Sequence, residues 1–107
     1  MSYRVRFTET AKSDLRQIVF YIADRSKEPA IAKSFVLELR ETCLRLKELP
    51  GQGALPKDRI LRSMRYRYVT HQGYLIFYLT DEQEHTVDIM AIFHEKQDSI
   101  RVMRRCI

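Results

Sequence analysis

The strongest hydrophobic pattern in the chain is a pair of apolar segments separated by an acidic turn. Residues 74–79 form a continuous aromatic and aliphatic run, YLIFYL, which is typical of a strand covered on both faces of a sheet. Residues 86–93 alternate between apolar and other positions, which predicts a second strand. The side of this strand expected to face the core carries Val87, Ile89, Ala91 and Phe93.

Two segments upstream have the three-and-four spacing of amphipathic helices. Thr8 or Thr10 can cap the first helix, and Pro29 both stops it and suits the first turn of the second. Helices joined by so short a turn form an antiparallel hairpin. The predicted buried stripes are Ala11, Leu15, Ile18, Val19 and Ile22, and then Ala32, Phe35, Val36, Leu39, Cys43 and Leu46. The predicted solvent side of the first helix carries Lys12, Asp14, Arg16 and Gln17.

The remaining segments complete an α+β pattern. Residues 3–7 alternate as a half-exposed strand does, and residues 64–69 predict another strand with Arg65 and Arg67 on one face. Residues 99–104 predict a short helix after the last strand. The predicted fold is an N-terminal strand and an antiparallel two-helix hairpin packed on an antiparallel sheet, in the order β-α-α-β-β-β, followed by a short C-terminal helix.

Length and composition fit one small globular domain spanning residues 1–107. No apolar run approaches the roughly 18 residues of a membrane span, and no signal-peptide pattern follows Met1, so we expect a cytoplasmic protein without a membrane partner. Cys43 and Cys106 predict free thiols. Because no Cys/His cluster or run of acidic ligands is present, we expect neither a metal nor a cofactor.

The net charge of +5 comes from 19 basic and 14 acidic residues, and 13 of the basic residues are arginine. Guanidinium groups bind phosphates and carboxylates bidentately, so the partner of a basic surface could be a nucleic acid or an acidic protein. A solvated strand face is the alternative interpretation. The arginines expected to form a target-binding surface are Arg62, Arg65, Arg67, Arg101, Arg104 and Arg105.

His94 is a candidate catalytic residue because it lies at a strand end beside mixed charges. Cleavage of RNA needs a base, an acid and cations that hold the phosphate. The side chains that could fill these roles are His94, Tyr66, Tyr68, Lys96 and Arg65. Alternatively, the His94 ring hydrogen-bonds Asp98 or the backbone and fastens the strand end. Motifs of conventional metabolic enzymes, such as GxSxG or HExxH, are absent from the sequence.

Three apolar residues of the helices fall outside the buried stripes: Phe20, Leu37 and Leu44. They are either ordinary exposed apolar surface or the lining of a groove for a partner segment. Leu37 and Leu44 are seven residues apart and therefore fall on one line along the second helix. That alignment keeps the groove interpretation open.

In chain order, several motifs resemble the ParE branch of the RelE/ParE toxin superfamily. The residues that carry the resemblance are Tyr3-Arg4-Val5, Thr10 to Ile18 (TAKSDLRQI), Tyr21-Ile22-Ala23, Leu49 to Gly53 (LPGQG), Leu61-Arg62, Tyr74 to Tyr78 (YLIFY) and Ala91 to Asp98 (AIFHEKQD). The resemblance covers nearly the whole chain in the right order. It implies the toxin of a type II toxin–antitoxin pair.

The resemblance further implies a ParD-like antitoxin whose flexible C-terminal segment wraps the toxin, which would give Phe20, Leu37 and Leu44 a partner. It implies DNA gyrase as the target and a poison rather than a catalyst. The related nuclease branch, which cleaves mRNA on the ribosome, and a non-toxic antitoxin-binding relative are the alternatives. At positions where the nuclease branch carries its catalytic side chains, this chain has Leu75, Tyr66, Tyr68 and Val102, and only Lys96 keeps a cationic group.

Overall fold

The computed structural model describes residues 2–107. The strands are β1 (Arg4–Phe7), β2 (Arg67–His71), β3 (Tyr74–Asp81) and β4 (Thr86–His94). The α-helices are α1 (Glu9–Ser26), α2 (Pro29–Leu44), α3 (Arg59–Ser63) and α4 (Ser99–Met103), and 3-10 turns span Arg45–Lys47, Pro50–Gln52 and Arg104–Cys106. The α+β class, the helical hairpin and the short C-terminal helix are confirmed. Within residues 2–107, no helix is both long and apolar enough to cross a membrane.

The helical hairpin is defined at both ends by local chemistry. Thr8, rather than Thr10, caps α1, because its hydroxyl oxygen accepts a 3.1 Å hydrogen bond from the Ala11 N–H. The same hydroxyl donates to the carbonyl oxygen of Ile89 at 2.8 Å and so ties the start of α1 to the sheet. Lys27 ends the helix in the left-handed conformation, and Pro29 begins α2.

The strands lie in the order β1-β4-β3-β2. The last three strands form an antiparallel meander, as the sequence predicts. β1, however, pairs parallel with β4, so the sheet is mixed rather than entirely antiparallel. The helical hairpin provides the crossover that a parallel connection requires, and it brings β1 beside the last strand.

A register shift interrupts the pairing of the two central strands. Phe77 lies opposite Ala91, whereas Tyr78 lies opposite Ile89, so Met90 is an extra residue in β4. A bulge of this kind reverses the alternation of side chains beyond it. The two halves of β4 therefore present their odd-numbered residues to opposite faces of the sheet.

The prediction that one side of β4 faces a single core is wrong for this reason. Val87 and Ile89 pack under the helical hairpin, whereas Ala91 and Phe93 belong to a second apolar cluster on the other face. Ile92, which was expected on the opposite side from Val87 and Ile89, joins them instead. α1 and α2 cover the first face, and α3 and α4 cover the second, so the central strands are buried on both sides.

The segment before β2 also differs from its prediction as a strand over residues 64–69. Asp58 caps the short helix α3, since its carboxylate accepts from the N–H groups of Ile60 at 2.9 Å and Leu61 at 3.1 Å. Arg65 then adopts a left-handed backbone with φ of 69°, and β2 begins only at Arg67. Arg65 therefore lies on a turn and not on the face of the sheet.

Candidate functional site

An open groove of about 330 Å³ lies at the C-terminal end of β4, where α1 and the C-terminal segment approach the sheet. The polar and aromatic side chains that line it include Asp14, Gln17, Tyr21, Tyr74, His94 and Arg105. The rim at the end of β4, where the sequence places polar groups, is therefore a real concavity. It combines aromatic surface with an ion pair whose carboxylate, Asp14, is buried.

Asp14 forms the ion pair of this groove with Arg105. The guanidinium group donates from Nη1 to Oδ1 at 2.8 Å and from Nη2 to Oδ2 at 3.0 Å, and the N–H of Ile92 donates to Oδ2 at 2.9 Å. Asp14 is 5% exposed, so its charge needs these donors. The hydrogen bond to Asp14 raises the pKa of Arg105, against the lowering effect of burial.

The assignment of Asp14 to the solvent side of α1 is thus wrong. The burial of Asp14 could have been predicted from the sequence. It lies three residues after Ala11 and four before Ile18, both of which are buried. A carboxylate at that spacing sits on the apolar stripe and requires a cationic partner. The partner, Arg105, lies 91 residues away and could not be identified from spacing.

His94 is fastened to the backbone at the end of β4. Its Nδ1 accepts a 3.2 Å hydrogen bond from the N–H of Lys96, and its ring meets the Tyr74 ring edge-on with 5.3 Å between centroids. Tyr74 packs on the cluster under the helical hairpin. His94 therefore belongs to the first face of the sheet, and Lys96 is exposed in the turn that follows.

Tyr66 and Tyr68 lie on the second face, away from His94. Tyr66 is 1% exposed, its hydroxyl oxygen lies 3.5 Å from the carbonyl oxygen of Cys106, and burial raises its pKa. The Tyr68 ring stacks on Phe77 with 5.3 Å between centroids. The sheet separates both phenols from His94, so these side chains do not form one cluster.

The predicted basic residues flank the elements that cover the second face. Arg62, Arg65, Arg101 and Arg104 are exposed, and none of them forms an ion pair within residues 2–107. Arg62 donates from Nε to the carbonyl oxygen of Pro56 at 3.0 Å, which leaves the rest of its guanidinium group at the surface. The Tyr66–Cys106 contact joins the two basic segments, since α3 and the C-terminal turn both pack there.

The other two predicted basic residues are engaged by other groups of the protein, although the Arg105 side chain remains 40% exposed. Arg67 is half-buried and donates from Nη1 to the carbonyl oxygen of Gly53 at 2.8 Å. Arg105 is held by Asp14, and its Nε also donates to the carbonyl oxygen of Val102 at 3.0 Å. Both side chains have structural partners that the sequence does not reveal.

The helical hairpin presents apolar side chains on the side that faces away from the sheet. Phe20 is 74% exposed and Leu37 is 51% exposed, whereas Leu44 is half-buried. Tyr21 and Ile31 add to the exposed apolar area of the same two helices. We call Phe20 and Leu37 the outer hairpin surface, because Tyr21 lines the groove beside His94 and Ile31 lies beside Gln72.

The two cysteines are free thiols. Burial raises the pKa of Cys43 to about 12, so this side chain is an unreactive part of the core. In the described part of the chain, no group of three or more His, Cys, Asp or Glu side chains could hold a metal ion.

The comparisons with known proteins agree with this helical hairpin on a four-stranded mixed sheet. Residues 5–99 match the model of the family described as the ParE toxin of the type II toxin–antitoxin system, parDE. The chain belongs to this family, and it is a toxin component of a toxin–antitoxin system. No curated protein sequence matches the chain.

Three solved structures share the fold. The toxin–antitoxin complex RelBE2 from Mycobacterium tuberculosis is 25% identical, covers 88% of this chain and 99% of its own, and has a TM-score of 0.64. The chromosomal ParDE system from P. aeruginosa is 18% identical, covers 87% and 96%, and has a TM-score of 0.72. A free E. coli RelE with two arginines replaced by alanine is 12% identical, covers 100% of both chains, and has a TM-score of 0.67. At these identities, the last two show the fold alone.

Proposed function

We propose that this toxin binds and inhibits DNA gyrase through its exposed arginines, and that an antitoxin segment on the outer hairpin surface neutralises it. The separation of His94 from Tyr66 and Tyr68 by the sheet is the observation that supports gyrase binding over RNA cleavage. General acid–base cleavage requires its groups within hydrogen-bond reach of one substrate. Because these candidate groups lie on opposite faces, a binding mechanism fits the chain better than a catalytic one.

The arginine surface is defined by Arg62, Arg65, Arg101 and Arg104. Their guanidinium groups have no carboxylate partner within residues 2–107, so they are available for phosphates or for carboxylates of another macromolecule. Cations of this kind bind a complex of protein and DNA in a salt-dependent way. Gyrase with its bound DNA offers such a surface, and we expect its affinity for the toxin to fall with ionic strength.

The outer hairpin surface supports the second part of the proposal. Large apolar side chains that stay exposed on a helix favour a site for a protein partner. An amphipathic antitoxin segment that orders on binding would cover Phe20 and Leu37. This surface lies on the opposite face of the protein from α3 and α4, so neutralisation would act by a route other than direct competition for the arginines.

Charge reversal tests the gyrase-binding part of this proposal. We expect the double variant Arg62→Glu and Arg104→Glu to lose toxicity on expression in bacteria while keeping the circular dichroism spectrum of the wild type. The double variant Arg16→Glu and Arg40→Glu, which reverses two exposed arginines of the helical hairpin, is the matched control and should remain toxic. Full toxicity of the double variant would remove the arginine surface from the target-binding site.

A further inference from the structure

Asp14 connects three separate elements of the fold. It belongs to α1, it accepts the N–H of Ile92 in β4, and it holds Arg105 of the C-terminal turn. The pairing of β1 with β4 ends where Phe7 meets Ile89. Beyond that point, no strand pairs with this edge of β4. The Asp14 carboxylate accepts the hydrogen bond from the Ile92 N–H that a neighbouring strand would otherwise accept.

The Asp14–Arg105 pair differs in kind from the other arginine–carboxylate fork of the chain. Arg6 and Asp88 also form two hydrogen bonds, at 2.8 and 3.1 Å, but the Arg6 side chain is 50% exposed and that of Asp88 is 27% exposed. The Asp14 side chain is 6% exposed and that of Arg105 is 40% exposed, so the difference lies in the buried carboxylate. A buried carboxylate left without its cation is strongly destabilising, whereas an exposed pair contributes little. Arg105 is therefore fixed at Asp14.

Arg105 also fixes the segment that precedes it. Its Nε donates to the carbonyl oxygen of Val102 at 3.0 Å, so the guanidinium group bridges α1 and the last turn of α4. Arg101 and Arg104 lie on either side of Val102 and Met103 and are exposed. The contact at Asp14 therefore helps to orient these two arginines relative to the sheet, together with the buried Met103 and the contact of Tyr66 with Cys106.

We propose that Asp14 is a positioning residue of the target-binding surface: acting through Arg105, it holds Arg101 and Arg104 in the orientation that binds the target. This inference rests on the proposed function, because it takes those arginines as the contact residues. Arg105 then links Asp14 to the C-terminal segment. Its guanidinium group binds the Asp14 carboxylate and not the target.

The substitution Asp14→Asn distinguishes positioning from a simple charge effect, because the two explanations predict opposite changes in affinity. Asp14→Asn keeps the shape and an acceptor for the Ile92 N–H, but it raises the net charge by one and weakens the hold on Arg105. If the arginines acted by charge alone, binding of an anionic target would strengthen. Positioning predicts the reverse, a loss of affinity on the order of tenfold. Arg105→Lys keeps the charge but loses the fork, and it should weaken binding in the same way.

The experiment measures the affinity of purified DNA gyrase with bound DNA for the wild type, Asp14→Asn and Arg105→Lys. Asp88→Asn is the matched control, since it raises the net charge by the same amount at the exposed fork. We expect Asp14→Asn and Arg105→Lys to bind more weakly than the wild type, and Asp88→Asn to bind equally or more tightly. Equal affinities for Asp14→Asn and Asp88→Asn would overturn the inference. If Asp14→Asn does not fold, Arg105→Lys compared with the wild type decides, because the two have the same net charge: equal affinities would overturn the inference.

A second readout does not depend on gyrase. Limited trypsin digestion after Arg101 and Arg104 should be several-fold faster in Asp14→Asn than in Asp88→Asn, because the C-terminal segment is less firmly held. An unchanged cleavage rate would overturn the inference. If the wild type does not bind gyrase, the proposed function fails, while the cleavage rate still decides whether Asp14 fixes the segment.

Discussion

The hydroxyl group of Tyr78 donates a 2.6 Å hydrogen bond to the carbonyl oxygen of Pro50. It also accepts a 3.0 Å hydrogen bond from the N–H of Gly53. One buried phenol thereby fastens the LPGQG loop to the centre of β3. This contact gives a physical reason for that motif: the loop must bring two backbone groups to one oxygen atom inside the core.

We expect Tyr78→Phe to lower the free energy of unfolding by about 1–3 kcal/mol, because two backbone groups lose their partner inside the protein. Urea denaturation followed by circular dichroism measures the change. Tyr21→Phe, which alters an exposed phenol on α1, is the control and should leave the midpoint in place. An unchanged midpoint for Tyr78→Phe would contradict the importance of this contact.

The two glycines of the loop should respond differently to alanine. A Cβ atom at Gly53 would lie 2.9 Å from the carbonyl oxygen of Tyr68 and 2.8 Å from the Tyr78 ring, whereas a Cβ at Gly51 meets nothing within 4 Å. We therefore expect Gly53→Ala to destabilise the fold by about 1–3 kcal/mol and Gly51→Ala to leave it nearly unchanged. Thermal unfolding of both variants checks this, and equal melting temperatures would show that the loop adapts.

Because the thiol of Cys43 is buried, we expect the protein to lose stability at alkaline pH. Burial raises the pKa of its thiol from 9.0 to about 12, so above pH 9 the unfolded chain loses a proton that the folded chain keeps. The unfolding free energy should then fall by about 1.4 kcal/mol per pH unit between pH 9 and pH 12 from this group alone. The variant Cys43→Ala should lack this contribution. Its stability should still fall somewhat at alkaline pH, because burial also raises the pKa values of Tyr74 and Tyr78.

The measurement for Cys43 is urea denaturation of both proteins at several pH values from 8 to 11. The wild type should be the more stable at pH 8, and the difference should shrink as the pH rises. Parallel curves for the two proteins would mean that the thiol keeps its ordinary pKa in the folded state.

Replacement of the candidate nuclease side chains should not protect cells. Because His94 and Tyr68 lie on opposite faces of the sheet, we expect His94→Ala and Tyr68→Phe to remain as toxic as the wild type. Growth after induced expression measures toxicity, and northern blots of abundant transcripts report RNA cleavage. Protection by either substitution, together with transcripts cut only by the wild type, would favour the endoribonuclease alternative.

The outer hairpin surface should be needed for neutralisation and not for toxicity. We expect Phe20→Ser and Leu37→Ser to stay folded and toxic but to escape co-expressed antitoxin, because each removes exposed apolar area from the site. Ile60→Ser, which changes an exposed residue of α3, is the matched control and should still be neutralised. Full neutralisation of both hairpin variants would place the antitoxin elsewhere.

The sequence predicts the parts of this fold that depend on local chemistry. Pro29 and the spacing of apolar residues define the hairpin, and the run at residues 74–79 predicts a strand buried on both faces, as Ile76, Phe77 and Tyr78 are. The parallel pairing of β1 with β4 and the bulge at Met90 depend on distant neighbours. Neither leaves a pattern in the strand itself.

Some features of the candidate site could also be predicted from local sequence, whereas others depend on residues far apart in the chain. The exposure of Phe20 and Leu37 follows from helical spacing, and the sequence predicts both. The position of Arg65 was misjudged because Asp58 starts a short helix that competes with the strand pattern after it. The engagement of Arg67 with Gly53 and of Arg105 with Asp14 joins residues far apart in the chain, so only the folded structure could reveal that these cations have partners.

The most direct test of the central claim is a cleavage assay with purified DNA gyrase and supercoiled plasmid. We expect the wild-type toxin to increase the amount of gyrase-cleaved, linear plasmid in a salt-sensitive manner, and the Arg62→Glu, Arg104→Glu variant to have no effect. If the toxin instead cuts mRNA in a ribosome-containing extract and leaves gyrase activity unchanged, the claim that it acts by binding gyrase is contradicted.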